Sequence, residues 1–205
     1  KKISERKNPS AQNYHFPQEF SYAQGPKAKY ADNVAAIKTL YLVESEHRNA
    51  TPEEQEILAH YSGWGGISDA FDESKENWRK EYAELKILLS DDDYAAARAS
   101  TLTAFYTDPY IINSIYHTLE RFGFKGGEIL DPSMGTGNFY GQLPESIGSN
   151  SKLYGVELDS ISARISRLLY PNASIQHKGF EQAKFLDDSM DIVIGNVPFG
   201  DYTPY

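Results

Sequence analysis

The sequence predicts an α/β protein in which a helical N-terminal region precedes a parallel sheet with crossover helices. Three observations predict it. Apolar residues recur at helical spacing through much of the first hundred positions. Past about residue 105, short apolar runs alternate with capped amphipathic stretches, the pattern of strand–helix–strand units. The first of those runs leads into "DPSMGTGNFYG" (131–141), a glycine loop at a strand-to-helix junction.

Taken in order, residues 1–30 are rich in Pro, Gly, Gln and aromatics without a period, and read as an extended arm laid over a surface. "ADNVAAIKTLYLVESEHR" (31–48) sets Val34, Ile37, Leu40 and Tyr41 on one helix face. "TPEEQEILAHY" opens with a capping box of Thr51 and Glu54 around Pro52. "SGWGG" (62–66) breaks the helix. Two more helices follow, at 76–89 and at 91–102, the second starting from an Asp cap. Asp108 caps and Pro109 starts the next helix, which Gly123 ends. "GEILDPS" is a buried strand, "NFYGQLPESI" a helix, and "KLYGVEL" (152–158) a second strand. "DSISARISRLLY" is a helix capped by Asp159 and stopped by Pro171, "ASIQHKG" a third strand, and "DIVIGNVPFGDY" a fourth that runs into a loop. The predicted division is an arm over 1–30, a helical region over 31–104 and a sheet core over 105–205.

Composition narrows the function classes. The 205 residues are 40% hydrophobic, which suits a globular core, and no run of 18 apolar residues exists to span a membrane. No cysteine is present, which removes disulfides, thiolate metal sites and cysteine nucleophiles. The five histidines show no metal-ligand spacing, so no metal is expected. Neither a phosphate-binding G-x-x-x-x-G-K-[ST] loop nor a G-x-S-x-G elbow occurs. The net charge is −9, yet residues 1–30 hold six Lys/Arg against two Glu. An acidic body is a poor electrostatic footprint for duplex DNA. The first residues carry no signal peptide and no initiator Met, so a cytoplasmic piece of a longer protein is expected.

The chemistry concentrates at strand ends. Ligands of open parallel sheets sit at the carboxyl ends of strands, where Gly135 and Gly137 let backbone approach closely. Glu157 closes the next strand, where a carboxylate suits the two hydroxyls of a ribose. A nicotinamide site would show the same features, and so would a plain glycine turn beside a surface Glu. The fourth strand adds "GNVPFG". The Asn196 side-chain oxygen and the Val197 carbonyl can accept both N–H groups of an exocyclic amine and free its lone pair. Pro198 stiffens the turn. Phe199 offers a face for an extruded base, or else a core aromatic.

"DPSMGTGNF", "YGVELD" and "GNVPFG", in this order, resemble the S-adenosylmethionine-dependent N6-adenine methyltransferases of DNA. "FYTDPYIINSIYHTLE" resembles the leading motif of that class. "TPEEQEILAHYSGWGGI", "AARASTLTAFYTDP" and "GNVPFGDY" are similar, more narrowly, to the methylase-like region of very large helicase/methylase proteins of mobile elements. The resemblance covers residues from about 30 to the end and implies a Rossmann-like methyltransferase core, incomplete at its C-terminus. It places Thr107 and Pro109 beside the methionine end of S-adenosylmethionine. Asp131, Pro132, Ser133, Gly135 and Gly137 would hold its amino-acid and sulfonium side, and Glu157 its ribose. The family's acidic adenine-reading residue after the third strand is replaced by Phe180, with Glu181 next. Asn196, Val197, Pro198 and Phe199 stand where the family has its catalytic tetrapeptide.

The expected activity is methyl transfer to adenine N6 in DNA, with DNA gripped mainly by other regions of the parent protein and the isolated chain inactive. A rival is a non-catalytic module that binds cofactor or DNA and positions a helicase. Asp131 could instead cap a turn, Trp64 could be a lid or a hydrophobic plug, and "DDD" (91–93) reads as a helix start favoured by the macrodipole.

Overall fold

The computed structural model describes residues 10–101 and 107–197. Residues 10–25 carry no helix or strand. Helices α1 (Pro26–Ser45), α2 (Pro52–Ala59), α3 (Arg79–Leu88) and α4 (Asp91–Ser100) follow, then α5 (Pro109–Arg121). The remainder runs β1 (Glu128–Asp131), α6 (Asn138–Gly141), α7 (Glu145–Gly148), β2 (Lys152–Glu157), α8 (Ser160–Leu169), β3 (Ser174–His177) and β4 (Ile192–Val193). Short 3-10 turns cover Ser68–Phe71, Glu76–Trp78 and Phe180–Gln182. No described helix is long and apolar enough to cross a membrane.

The four described strands form one sheet in the order β3-β2-β1-β4, and every pairing is parallel. The chain therefore reverses direction of growth between β1 and β4, which opens a crevice at their carboxyl ends. Ile129 and Leu130 of β1 and Val156 of β2 are buried. Helix α8 covers the sheet through Ile161, Ile165 and Leu169, four residues apart and fully buried.

Local chemistry explains most element ends. The Thr51 hydroxyl accepts the Glu54 N–H while the Glu54 carboxylate accepts the Thr51 N–H, a complete capping box. Arg48 grips the same Glu54 with two guanidinium nitrogens at 2.5 and 2.6 Å. Asp108 and Asp159 cap α5 and α8 through the N–H groups of Tyr110 and Ser162. Three details differ from the sequence reading. Helix α1 begins at Pro26, ahead of Ala31, because Gly25 at φ +84° turns the chain into a proline-started first turn. Helix α4 is capped by Ser90, whose hydroxyl accepts the Asp93 N–H, and not by an Asp. The single helix expected over "NFYGQLPESI" is two one-turn helices, since Pro144 lacks an N–H and pushes Leu143 out of the helical region.

The helical region is bonded to the core at named points. Arg164 of α8 pairs with Glu44 of α1, donates to Asp93 of α4 at 3.1 Å and lies over the Tyr41 ring at 5.2 Å. Asp93 thus does more than start a helix. Trp64 is fully buried, edge-on to Phe71 at 5.1 Å, and so is a plug. The buried Asn33 amide fastens its loop by donating to the Gly63 carbonyl at 2.6 Å and accepting the Ser62 N–H at 2.9 Å. Residues 10–25 run across the end of α8 and α6. Tyr14 donates its N–H to the Leu169 carbonyl and Phe16 to that of Gly141. The Gln55 amide donates to the carbonyls of Gln12 and Leu168, both at 2.9 Å, so α2 fastens this arm to α8.

Candidate active site

The strand ends bring the glycine loop and the end of β4 to one place. Asp131 closes β1 and is 1% exposed. Its carboxylate accepts the Ser133 N–H at 3.1 Å and lies against Gly195, where a Cβ would come within 2.5 Å of it. The Ser133 hydroxyl donates to the Asn196 carbonyl at 3.2 Å. That bond ties the loop after β1 to the segment after β4 across the crevice. Pro132 packs against the same Gly195 position.

The loop turns through Gly135 at φ +56° and Gly137 at φ +90°, left-handed conformations that a side chain would strain. It is held down on β2. The Met134 N–H donates to the Val156 carbonyl at 3.0 Å, and the Gly135 N–H donates to the Glu157 carboxylate at 2.6 Å. The other Glu157 oxygen accepts the Asp159 N–H at 2.7 Å. Gly155 of β2 has no side chain to displace Met134, which packs onto it.

Burial is the main electrostatic fact here. It pushes the Glu157 carboxyl up to about 7, against the pull of the Asp159 and Gly135 N–H groups. Burial also pushes Asp131 up to about 7, and the Glu157 charge adds to it. Two carboxyl groups that share a site cannot both ionise freely.

The remaining predicted residues are placed as follows. Thr107 is half-buried just ahead of the Asp108 cap. Pro109 lines a narrow cleft with Ile112, Asn138, Gln142 and three arm residues, Phe16, Phe20 and Tyr22. Phe180 is half-exposed in the turn after β3, whose Lys178 N–H donates to the Glu157 carbonyl. Asn196 and Val197 are exposed. Pro198 and Phe199 lie outside the described residues. The structure therefore joins Asp131, Pro132, Ser133, Gly135, Glu157 and Asn196 through direct contacts, while Pro109 belongs to the neighbouring cleft.

Two contributors escape sequence reasoning. Tyr140, buried, accepts the Asp131 N–H at 3.0 Å and donates to the Tyr154 carbonyl, so one phenol ties the end of β1 to the middle of β2. The arm aromatics form the other. Phe16 fills the space that a Cβ on Gly141 would take, a close approach no local pattern announces.

A parallel sheet with a glycine loop after β1 and an acidic residue closing β2 is a Rossmann-like arrangement with its site at the strand ends. Residues 87–204 match the N-6 DNA methylase family. The chain belongs to that family.

Two curated relatives and one solved structure show the range. Over 152 residues the chain is 32% identical to Defense against restriction protein B of Escherichia phage P1, covering 73% of this chain and 5% of the phage protein. Over 95 residues it is 32% identical to Type II methyltransferase M.CvrRI of Paramecium bursaria Chlorella virus XZ-6E, covering 46% of this chain and 24% of that protein. The chain thus spans a small part of the curated relatives it matches. The type I restriction-modification system methyltransferase subunit from Streptococcus thermophilus aligns with 16% identity and a TM-score of 0.38, over 88% of this chain and 46% of that one.

Proposed function

We propose that this chain carries the site of an S-adenosylmethionine-dependent transfer of a methyl group to adenine N6 in DNA, within a longer protein. The observation that carries the reading is the hydrogen bond from the Ser133 hydroxyl to the Asn196 carbonyl, because it sets a cofactor-type loop beside a base-type segment.

The residues fit the cofactor. Each Glu157 oxygen already accepts one backbone N–H, yet a carboxylate has about four lone-pair sites, which leaves room for both ribose hydroxyls. Phe180, half-exposed in the turn after β3, would lie against the adenine. Asp131, Pro132, Ser133, Gly135 and Gly137 would hold the amino-acid and sulfonium side, with Thr107 and Pro109 at the methionine end. When bound, the cofactor supplies an electrophilic methyl on a sulfonium. The chain supplies the acceptors. The Asn196 oxygen and the Val197 carbonyl take the two N–H groups of the amine and turn its lone pair outward, and proximity accounts for most of the rate. Phe199 would stack on the extruded base. The grip on duplex DNA belongs to other regions of the longer protein, since this chain carries a net charge of −9.

Calorimetric titration with S-adenosylmethionine, S-adenosylhomocysteine and NAD side by side tests the cofactor. Binding of the first two and not of NAD is expected, and the reverse overturns the reading. Transfer of labelled methyl groups to DNA by the longer protein tests the reaction. Cofactor binding without transfer, with or without Asn196, would favour a module that positions a helicase.

A further inference from the structure

Residues 10–25 lie on the body as an extended peptide, and they grip a part of the chain that cannot hold itself. Helix α6 is a single turn, Asn138–Gly141, entered from Gly137 at φ +90° without a side-chain cap. One turn fixes its dihedrals for very few hydrogen bonds and is unfavourable alone. The arm takes it at both ends. The Tyr22 hydroxyl donates to the Asn138 side-chain oxygen at 2.8 Å. The Phe16 N–H donates to the Gly141 carbonyl at 2.9 Å, and the Phe16 ring lies where a Cβ on Gly141 would stand. Tyr170 packs its ring on Gly137 and its hydroxyl on Gly141. The turn that leaves the glycine loop is thus held by Tyr170 and the arm together.

The arm itself is lightly fastened. Of its Tyr and Phe rings only Tyr14 is buried, while Phe16, Phe20 and Tyr22 are half-buried. It forms no helix or strand and meets the body through scattered contacts. Among them, the Tyr14 N–H donates to the Leu169 carbonyl, the Asn13 side chain accepts the Asn172 N–H at 3.0 Å, and Phe20 lies against His60 at 4.7 Å. Segments with few buried contacts open before the rest of a domain. The joint to α1 is Gly25, at φ +84° with open space around it, where the arm can swing without a side chain in the way.

We propose that the arm is a strap that regulates the site. Docked, Phe16 and Tyr22 are positioning residues that hold α6 and through it the glycine loop. Lifted about Gly25, the arm releases both. The regulation rests on the methyltransferase reading above, whereas the coupling of arm to loop does not. The strap touches no ligand; it sets how often the loop has the shape a ligand needs. Coupling is reciprocal, so a ligand that prefers the ordered loop also holds the arm down.

Hydrogen exchange on the whole chain, resolved by peptide, tests the coupling. Phe16→Ala is expected to speed exchange in residues 10–25 and 133–141 together by about ten-fold or more, with α3 and α4 unchanged. Tyr22→Phe keeps the ring and loses one hydroxyl, and is expected to speed residues 133–141 by about three-fold. Faster exchange in the arm alone overturns the proposal. If Phe16→Ala speeds exchange everywhere, its fold is damaged and Tyr22→Phe decides, an unchanged loop being the overturning result. S-adenosylhomocysteine tests the regulation. It is expected to slow exchange in residues 10–25 as well as in the loop, and to bind Tyr22→Phe about three-fold more weakly. Binding that leaves the exchange of the arm unchanged overturns the regulation. If the unsubstituted chain does not bind it, the methyltransferase reading and the regulation fail together, while the two variants still decide the coupling of arm to loop.

Discussion

Glu157 accepts the Gly135 N–H at 2.6 Å with one carboxylate oxygen and the Asp159 N–H at 2.7 Å with the other. One side chain therefore sets the loop after β1 against the loop after β2. It does so while its carboxyl titrates near 7.

Under the proposed function, that titration would make cofactor binding pH-dependent. Ribose hydroxyls donate, so they favour the ionised carboxylate. Affinity for S-adenosylhomocysteine is expected to be level above pH 7 and to fall by up to about ten-fold per pH unit below it. Glu157→Ala should lose about 1.5–3 kcal/mol of binding at pH 8 and flatten the profile. Calorimetry from pH 5.5 to 8.5 checks both, and a flat profile in the unsubstituted chain would exclude Glu157 as the titrating contact.

Asp131 predicts a stability effect of opposite convenience. Its folded carboxyl titrates at about 7, above the usual 3.9 of a free Asp. Between those values the folded chain binds the extra proton. Stability is therefore fullest below about pH 4 and is lost as pH rises to about 7. Asp131→Asn keeps an acceptor for the Ser133 N–H and cannot ionise. Its melting temperature is expected to exceed that of the parent chain at pH 8 and to lose that lead at pH 4. A variant less stable at both pH values would show that the charge is not the cost.

Asn196→Ala addresses catalysis. In the longer protein it is expected to lower the methyl-transfer rate by about two orders of magnitude or more, the scale for one preorganised polar group. Cofactor affinity should barely change, because Asn196 meets the loop through its backbone carbonyl. Normal turnover by the variant would remove Asn196 from the chemistry.

Arg164→Ala tests the joint between the helical region and the core. Glu44 and Asp93 would lose their shared cation, and Tyr41 its stacked guanidinium. The cluster is partly screened by solvent, so a loss of about 1–3 kcal/mol is expected by urea unfolding, less at high salt. A change below 0.5 kcal/mol, taken as roughly the noise of a surface substitution, would mean that apolar packing alone joins the two.

The helices are legible in the sequence because their end signals are local. Asp159 three residues ahead of Ser162, or Thr51 ahead of Glu54, announces a helix start from side-chain chemistry within one turn. The same locality explains the errors. Gly25-Pro26 starts a helix, but the apolar spacing that marks α1 only becomes clear further on. Pro144 breaks a stretch whose remaining residues all suit a helix. The long-range facts leave no trace in spacing: Tyr140 bonding two neighbouring strands, Phe16 seated on Gly141, Arg164 reaching back to Glu44. Gly135 and Glu157 stand out from their spacing and the family resemblance adds Asp131, whereas the bonds around them depend on strands whose partners lie far away in the chain.

The arm has a consequence for how the chain is made. Tyr14 and Phe16 leave the ribosome well before Leu169 and Gly141, whose carbonyls they bond. At synthesis rates of roughly 5–20 residues per second, Phe16 and Phe20 wait on the order of ten seconds before their seat exists. During that time they are exposed aromatic residues on a growing chain, and the emergence of α6 and α8 decides when they are withdrawn. Chaperone occupancy on stalled nascent chains should therefore persist until the stall point lies well past Leu169, and substituting Phe16 and Phe20 by Ser should shorten it.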